Sequence, residues 1–200
     1  MEIQQAGRLA PEHLYSLQDY ARLRPDFRAR VMAHKEARKV PIGPNATLYF
    51  EDRLTMQYQV QEMLRIERIA DPAGIADELA VYNALVPDGT NWKATFMMEY
   101  PDAEERRKAL AELKGVEQRV WVRVAGFDPV YAIADEDLER EDETKTSSVH
   151  FMRFELTPEM RRAVKAGAAI AAGIDHERYR HSVEAVAPAV RDSLALDLMP

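Results

Sequence analysis

Two carboxylates carry the first suggestion of chemistry. Residues 53–70 contain neither proline nor glycine and are rich in good helix formers, so the sequence predicts a helix there, stopped by Asp71 and Pro72. At about 100° per residue, Gln57, Gln61, Arg65 and Arg68 share a polar side. Glu62 falls beside Tyr58, Ile66 and Ile69, and Glu67 falls near Met56, Val60 and Met63. A carboxylate in an apolar arc is costly unless something compensates it. One reading is a metal or acid–base site, completed by Glu51 and a histidine. The other is ion pairing with Arg53, Arg65 or Arg123, the commoner fate of buried carboxylates. A helical di-iron site normally shows Glu-x-x-His, which this sequence lacks, so no metal site is assigned.

The histidines are weaker signals. His150 alternates with Met152, Phe154 and Leu156, which predicts a hydrogen-bonded core histidine on a strand more readily than a ligand. His34 lies near Phe27 on a helix and reads the same way. His176 and His181 accompany Asp175 and Tyr179, but no cysteine or third ligand stands nearby.

Arg24, Arg28, Lys35, Arg38 and Lys39 form the second candidate, an anion- or partner-binding face within an arc of roughly 100°. The net charge of −7 argues against a general nucleic-acid binder, and no Gly-rich loop or aromatic stacking pattern accompanies the basic residues. Their other partner would be the acidic segment 135–143 of the same chain.

Several classes of chemistry have no support. The absence of cysteine removes disulfides, thiolate sites and cysteine nucleophiles. Serine-hydrolase elbows, Walker loops and dinucleotide fingerprints are missing as well. The N-terminal residues lack a basic region followed by an apolar run, and no apolar stretch approaches the ~20 residues of a membrane span, so a cytosolic protein is expected.

The elements that must position these residues follow from proline, glycine and hydrophobic period. A helix is predicted over 25–39, opened by Pro25, and another over 75–85; 45–50 fits a strand or a helical turn. Period-two alternation then predicts strands through Trp92–Tyr100, Val120–Val124, 130–134, 147–156 and 168–174, with the 120–134 pair as a hairpin. Helices are predicted over 101–113 and 158–165, and an extended tail with a helical piece over 186–196. The expected fold is α+β: a single domain over 1–200, with a mainly helical part (1–90), a mostly antiparallel sheet carrying helices on one face (91–175) and a C-terminal tail (176–200).

The segments GPNATLYFEDR (43–53), QVQEMLRIE (59–67), KTSSVHFMRF (145–154) and GIDH (173–176) resemble the DUF3501 family, a bacterial domain of unknown function, over nearly the whole chain. The resemblance supplies no catalytic residue and no cofactor. It implies a cytosolic bacterial protein whose gene neighbours are often rubrerythrin-like or iron–sulfur oxidoreductase proteins, and hence a redox-protein partner. Two function classes follow. The first is a non-catalytic accessory or scaffold protein of a bacterial redox system. The second is a small-molecule or metal-dependent enzyme with a site between the central helix and the sheet, lined by Glu62, Arg65, Glu67, His34 and His150. The enzyme requires those side chains to converge in one pocket, whereas the accessory protein requires them scattered and individually satisfied.

Overall fold

The computed structural model describes residues 7–136 and 145–200. Helix α1 (Leu17–Glu36) opens on Ser16, whose hydroxyl accepts the Asp19 N–H. The helix therefore starts two turns before the expected Pro25, which sits inside it. Pro25 and Ala21, whose carbonyl loses its usual partner, are both exposed, so that carbonyl is not sealed from solvent. Strands β1 (Lys39–Ile42) and β2 (Ala46–Glu51) form an antiparallel hairpin. Its turn requires glycine: Gly43 has φ +72°, and a Cβ there would come within 2.6 Å of His181 Cγ.

Asp52 caps α2 (Arg53–Glu67) through reciprocal bonds with Thr55. Arg68 ends that helix in the left-handed region at φ 57°, short of the expected Ala70. Helix α3 (Pro72–Asn83) is capped by Asp71. Next come β3 (Asn91–Met98), α4 (Ala103–Glu112), β4 (Val120–Val124), β5 (Val130–Tyr131) and β6 (Ile133–Ala134). The chain closes with β7 (Val149–Glu155), α5 (Pro158–Lys165), β8 (Ile170–His176), β9 (Tyr179–Val183) and α6 (Pro188–Ala195).

The fold is α+β, but its strands form two antiparallel sheets where one was expected. Their orders are β1-β2-β3-β7-β6 and β5-β4-β8-β9. The expected hairpin over 120–134 holds only through Tyr131, which pairs with Trp121. Beyond Ala132 the chain changes sheets, and Ala134 pairs with Met152 of β7. Strand β8 is not the last strand either, because β9 folds back on it within the predicted tail.

Inner faces of both sheets share one core. Leu48, Phe50, Trp92, Phe96 and Phe154 come from the first sheet, and Val120, Val122, Ile170 and Ile174 from the second. Met160 and Val164 of α5 and Val190 and Leu194 of α6 complete it. The N-terminal helices pack through smaller clusters: Tyr20, Phe27 and Val31 with Leu54, and Met56, Val60 and Leu64 with Leu79. Strand alternation leaves Lys93 and Thr95 of β3, and Phe151 and Arg153 of β7, on the other face of the first sheet, only partly buried.

Candidate functional site

The structure separates the residues that the sequence grouped. Glu62 lies between α1 and α2. It accepts hydrogen bonds from Tyr20 Oη at 2.7 Å, from Arg24 Nε at 2.8 Å and Nη2 at 2.9 Å, and from Arg65 Nη2 at 3.1 Å. The Arg24 guanidinium holds this carboxyl down at about 2 against its partial burial, with Arg65 and Tyr20 assisting. Burial, with this carboxylate assisting, pushes the Tyr20 phenol well up. Arg24 is therefore an intramolecular partner, and Glu62 is an anchor between two helices.

Glu62→Gln is expected to destabilise the fold by about 1–3 kcal/mol, because two guanidiniums lose their counter-charge and one of the two acceptor oxygens becomes an NH2 that faces donors. The carboxylate's contribution is fully present above the unfolded carboxyl pKa near 4.5 and is lost as pH falls toward 2. Urea unfolding between pH 7 and 3 checks both statements. A variant with the same acid sensitivity as the wild type would show that Glu62 is not the coupled group.

Glu67 is exposed, not buried in an apolar arc. It is the last residue of α2, and Arg68 turns the chain away before another turn can cover it. Gln61 departs in the opposite direction: placed on the polar face by helical period, it is fully buried. Its side chain bonds both backbone groups of Tyr15, accepting from N at 2.5 Å and donating to O at 3.3 Å. The segment before α1 covers that face.

His34 Nε2 lies 2.5 Å from Asp52 Oδ2. Arg38, expected on a surface cationic face, is 1 % exposed and is the hub of a buried cluster. It donates to the carbonyls of Phe50 and Glu51 at 3.0 Å each, to Ser193 Oγ at 3.1 Å and to Asp197 Oδ2 at 2.5 Å, and it stands 3.4 Å from Asp52. Burial would raise the Asp52 carboxyl, but His34 and Arg38 overcome that and hold it low. At Asp197 burial wins, pushing the carboxyl up to about 6. The expected cationic face is thus reduced. Lys39 pairs with Glu36 at 2.7 Å, while Arg28 is exposed and Lys35 half-buried, neither with a side-chain hydrogen bond or ion pair among the described residues.

His150 is fully buried on the inner face of β7, as the alternation predicted. Its Nδ1 lies 2.5 Å from Asp135 Oδ2, and its Nε2 lies 3.0 Å from Thr146 Oγ1 and 3.1 Å from the Ser147 carbonyl. Most of the acidic segment 135–143, the proposed partner of the basic face, lies outside the described residues; Glu136, within them, bonds Arg153. Among the described residues no group of three His, Asp or Glu side chains is arranged to hold a metal ion.

A concavity of about 1080 Å³ among the described residues contains none of the ten predicted residues. It is a groove between the C-terminal end of α3 with the loop after it and the outer face of the first sheet. Tyr82, Leu85 and Phe151 supply apolar surface, and Lys93, Arg153 and Asn91 supply polar groups. Lys93 and Arg153 stand directly opposite each other across β3 and β7, an unfavourable like-charge register. Arg153 is neutralised by Glu136 at 2.8 Å and Glu155 at 2.6 Å. Lys93 has no hydrogen bond or ion pair among the described residues, and burial pushes its amine down despite the pull of Glu136. Asn91 is 2 % exposed, and its Oδ1 has no hydrogen-bond partner. The sequence did show Lys93 and Arg153 at outward positions of alternating strands. Nothing in it showed that those strands are neighbours.

Fold and groove together define an α+β protein of two antiparallel sheets with a helical N-terminal layer and a charged groove on an outer sheet face. The chain belongs to the DUF3501 family, described as a protein of unknown function, whose model matches residues 8–198. A solved structure described as a novel protein of unknown function from Burkholderia pseudomallei K96243 is 50 % identical, with a TM-score of 0.92, covering 96 % of this chain and 100 % of its own. No curated protein matches. Among the described residues no helix is long and apolar enough to cross a membrane.

Proposed function

We propose that this protein binds a small molecule in the groove between α3 and the outer face of the first sheet. The observation that carries the reading is the lining: apolar side chains with a few convergent polar groups, among them Lys93, without a hydrogen bond or ion pair among the described residues, and Asn91, whose Oδ1 accepts none. The volume of about 1080 Å³ suits an organic ligand of metabolite size or larger. A thermal-shift screen of metabolites, followed by amide-shift mapping of each hit, tests it. A ligand at about a hundred times its Kd adds roughly 2.7 kcal/mol of stability, which moves Tm by several degrees. Hits should perturb residues 80–93 and 151–155. Hits that map instead to Arg28 and Lys35 would sink this reading and return the basic face to first place.

An accessory role in a bacterial redox system is the second reading. Its support is the groove rim, where Val81 and Met199 are exposed apolar residues at 64 % and 51 %. The individually satisfied states of Glu62, His34 and His150 agree with it. A pull-down from the native host that recovers a rubrerythrin-like or iron–sulfur oxidoreductase in stoichiometric amount is the result that would support it.

A further inference from the structure

We infer that the groove selects a small carboxylate that carries a hydroxyl or amino group beside the acid and an apolar tail. This rests on the groove being the binding site and deepens that reading to a ligand class.

The acid is called for by Lys93. Its ammonium is half-buried and faces Arg153 across the strands, while the nearby carboxylates are engaged elsewhere. Glu136 and Glu155 are bound to Arg153, and Asp88 accepts from Thr90 N at 2.9 Å and Thr90 Oγ1 at 2.7 Å. Glu136, Asp88 and Glu155 act on Lys93 only at a distance, so a ligand carboxylate would give it the direct ion pair it lacks among the described residues, where partial desolvation strengthens the attraction.

The neighbouring donor is called for by Asn91. Its Oδ1 accepts nothing, and its Nδ2 makes only long contacts of 3.4 Å to Thr90 and Glu155. Asn91 and Lys93 are two apart on one face of β3, so their Cα atoms are about 7 Å apart. A 2-hydroxy or 2-amino acid places its anion and its donor close enough together to meet both. Tyr82, Leu85 and Phe151 then face the remainder of the molecule with apolar surface.

Three probes of nearly equal shape test this on the full chain by amide-shift titration: phenyllactate, phenylpropionate, which lacks the hydroxyl, and phenyllactamide, which lacks the charge. The expected result is that phenyllactate binds at least about tenfold more tightly than either control, a difference of about 1.4 kcal/mol. Lys93→Met should abolish the preference for acid over amide, and Asn91→Ala the preference for the hydroxyl. Should Asn91→Ala fail to fold, the comparison of phenyllactate with phenylpropionate on the wild type still decides the point. Equal affinity for all three at the groove would overturn the ligand class while leaving a binding groove. Failure of every probe to perturb groove amides at about 10 mM would also overturn the ligand class, while the groove itself stands or falls on where hits of the metabolite screen map.

Discussion

Arg38→Met is expected to cost about 3–5 kcal/mol of stability, because the substitution leaves buried carboxylates without their cation. Methionine fills most of the arginine's volume, so lost packing is a minor part of the effect. What disappears is the counter-charge to Asp197 and Asp52 and the donors to the Phe50 and Glu51 carbonyls. The loss should depend on pH in a defined direction. In the wild type Asp197 is already raised to about 6, above its ordinary value of 3.8, so the folded state holds a proton that the unfolded state releases. Stability from this group therefore falls as pH rises from about 4 to 6. Removing Arg38 raises that carboxyl further, so the variant should lose less at pH 5 than at pH 8, by about 1 kcal/mol or more. Urea unfolding of both proteins at the two pH values measures it. Equal losses would mean that the carboxylates do not titrate against Arg38. Arg38→Met combined with Asp197→Leu should recover much of the deficit.

Trp92→Ala should be comparably severe, at about 3–5 kcal/mol. Its ring is fully buried on the inner face of β3 against Phe50, at a centroid distance of 6.2 Å. Its indole N–H donates to the Leu194 carbonyl of α6 at 2.9 Å, tying the last helix to the first sheet. Trp92→Phe separates the two contributions, retaining most of the apolar contact while orphaning that carbonyl, and should cost about 1–3 kcal/mol. Hydrogen exchange in Trp92→Phe should rise first in Pro188–Ala195. If Phe is as damaging as Ala, the hydrogen bond outweighs the packing.

Local elements were legible where local forces decide them. Period two marks β3 and β4, proline opens α5 over the expected Pro158–Lys165, and the run without breakers marks α2. The same alternation puts His150 on the core-facing side of its strand, where it is fully buried. The misplacements have two sources. Helical period holds only inside a helix and says nothing about what covers its last turn: α1 stops at Glu36, so Arg38 lies beyond the wheel, and Glu67, the final residue of α2, has no packed element over it. Long-range partners decided the rest. Gln61 is buried by residues near Tyr15, Arg38 by α6, and the groove exists because β7 lies beside β3. None of these pairings leaves a periodic trace in its own segment.

The span between Arg38 and Asp197, 159 positions along the chain, also sets a schedule for biosynthesis. At about 5–20 residues per second, the aspartate is made roughly 8–30 s after the arginine. Throughout that interval the β1–β2 hairpin has Arg38 in hand but not the anion or the Leu194 carbonyl that close the first sheet's inner side. A nascent chain therefore holds its early hairpin open to water, and to chaperones, until α6 arrives and locks it.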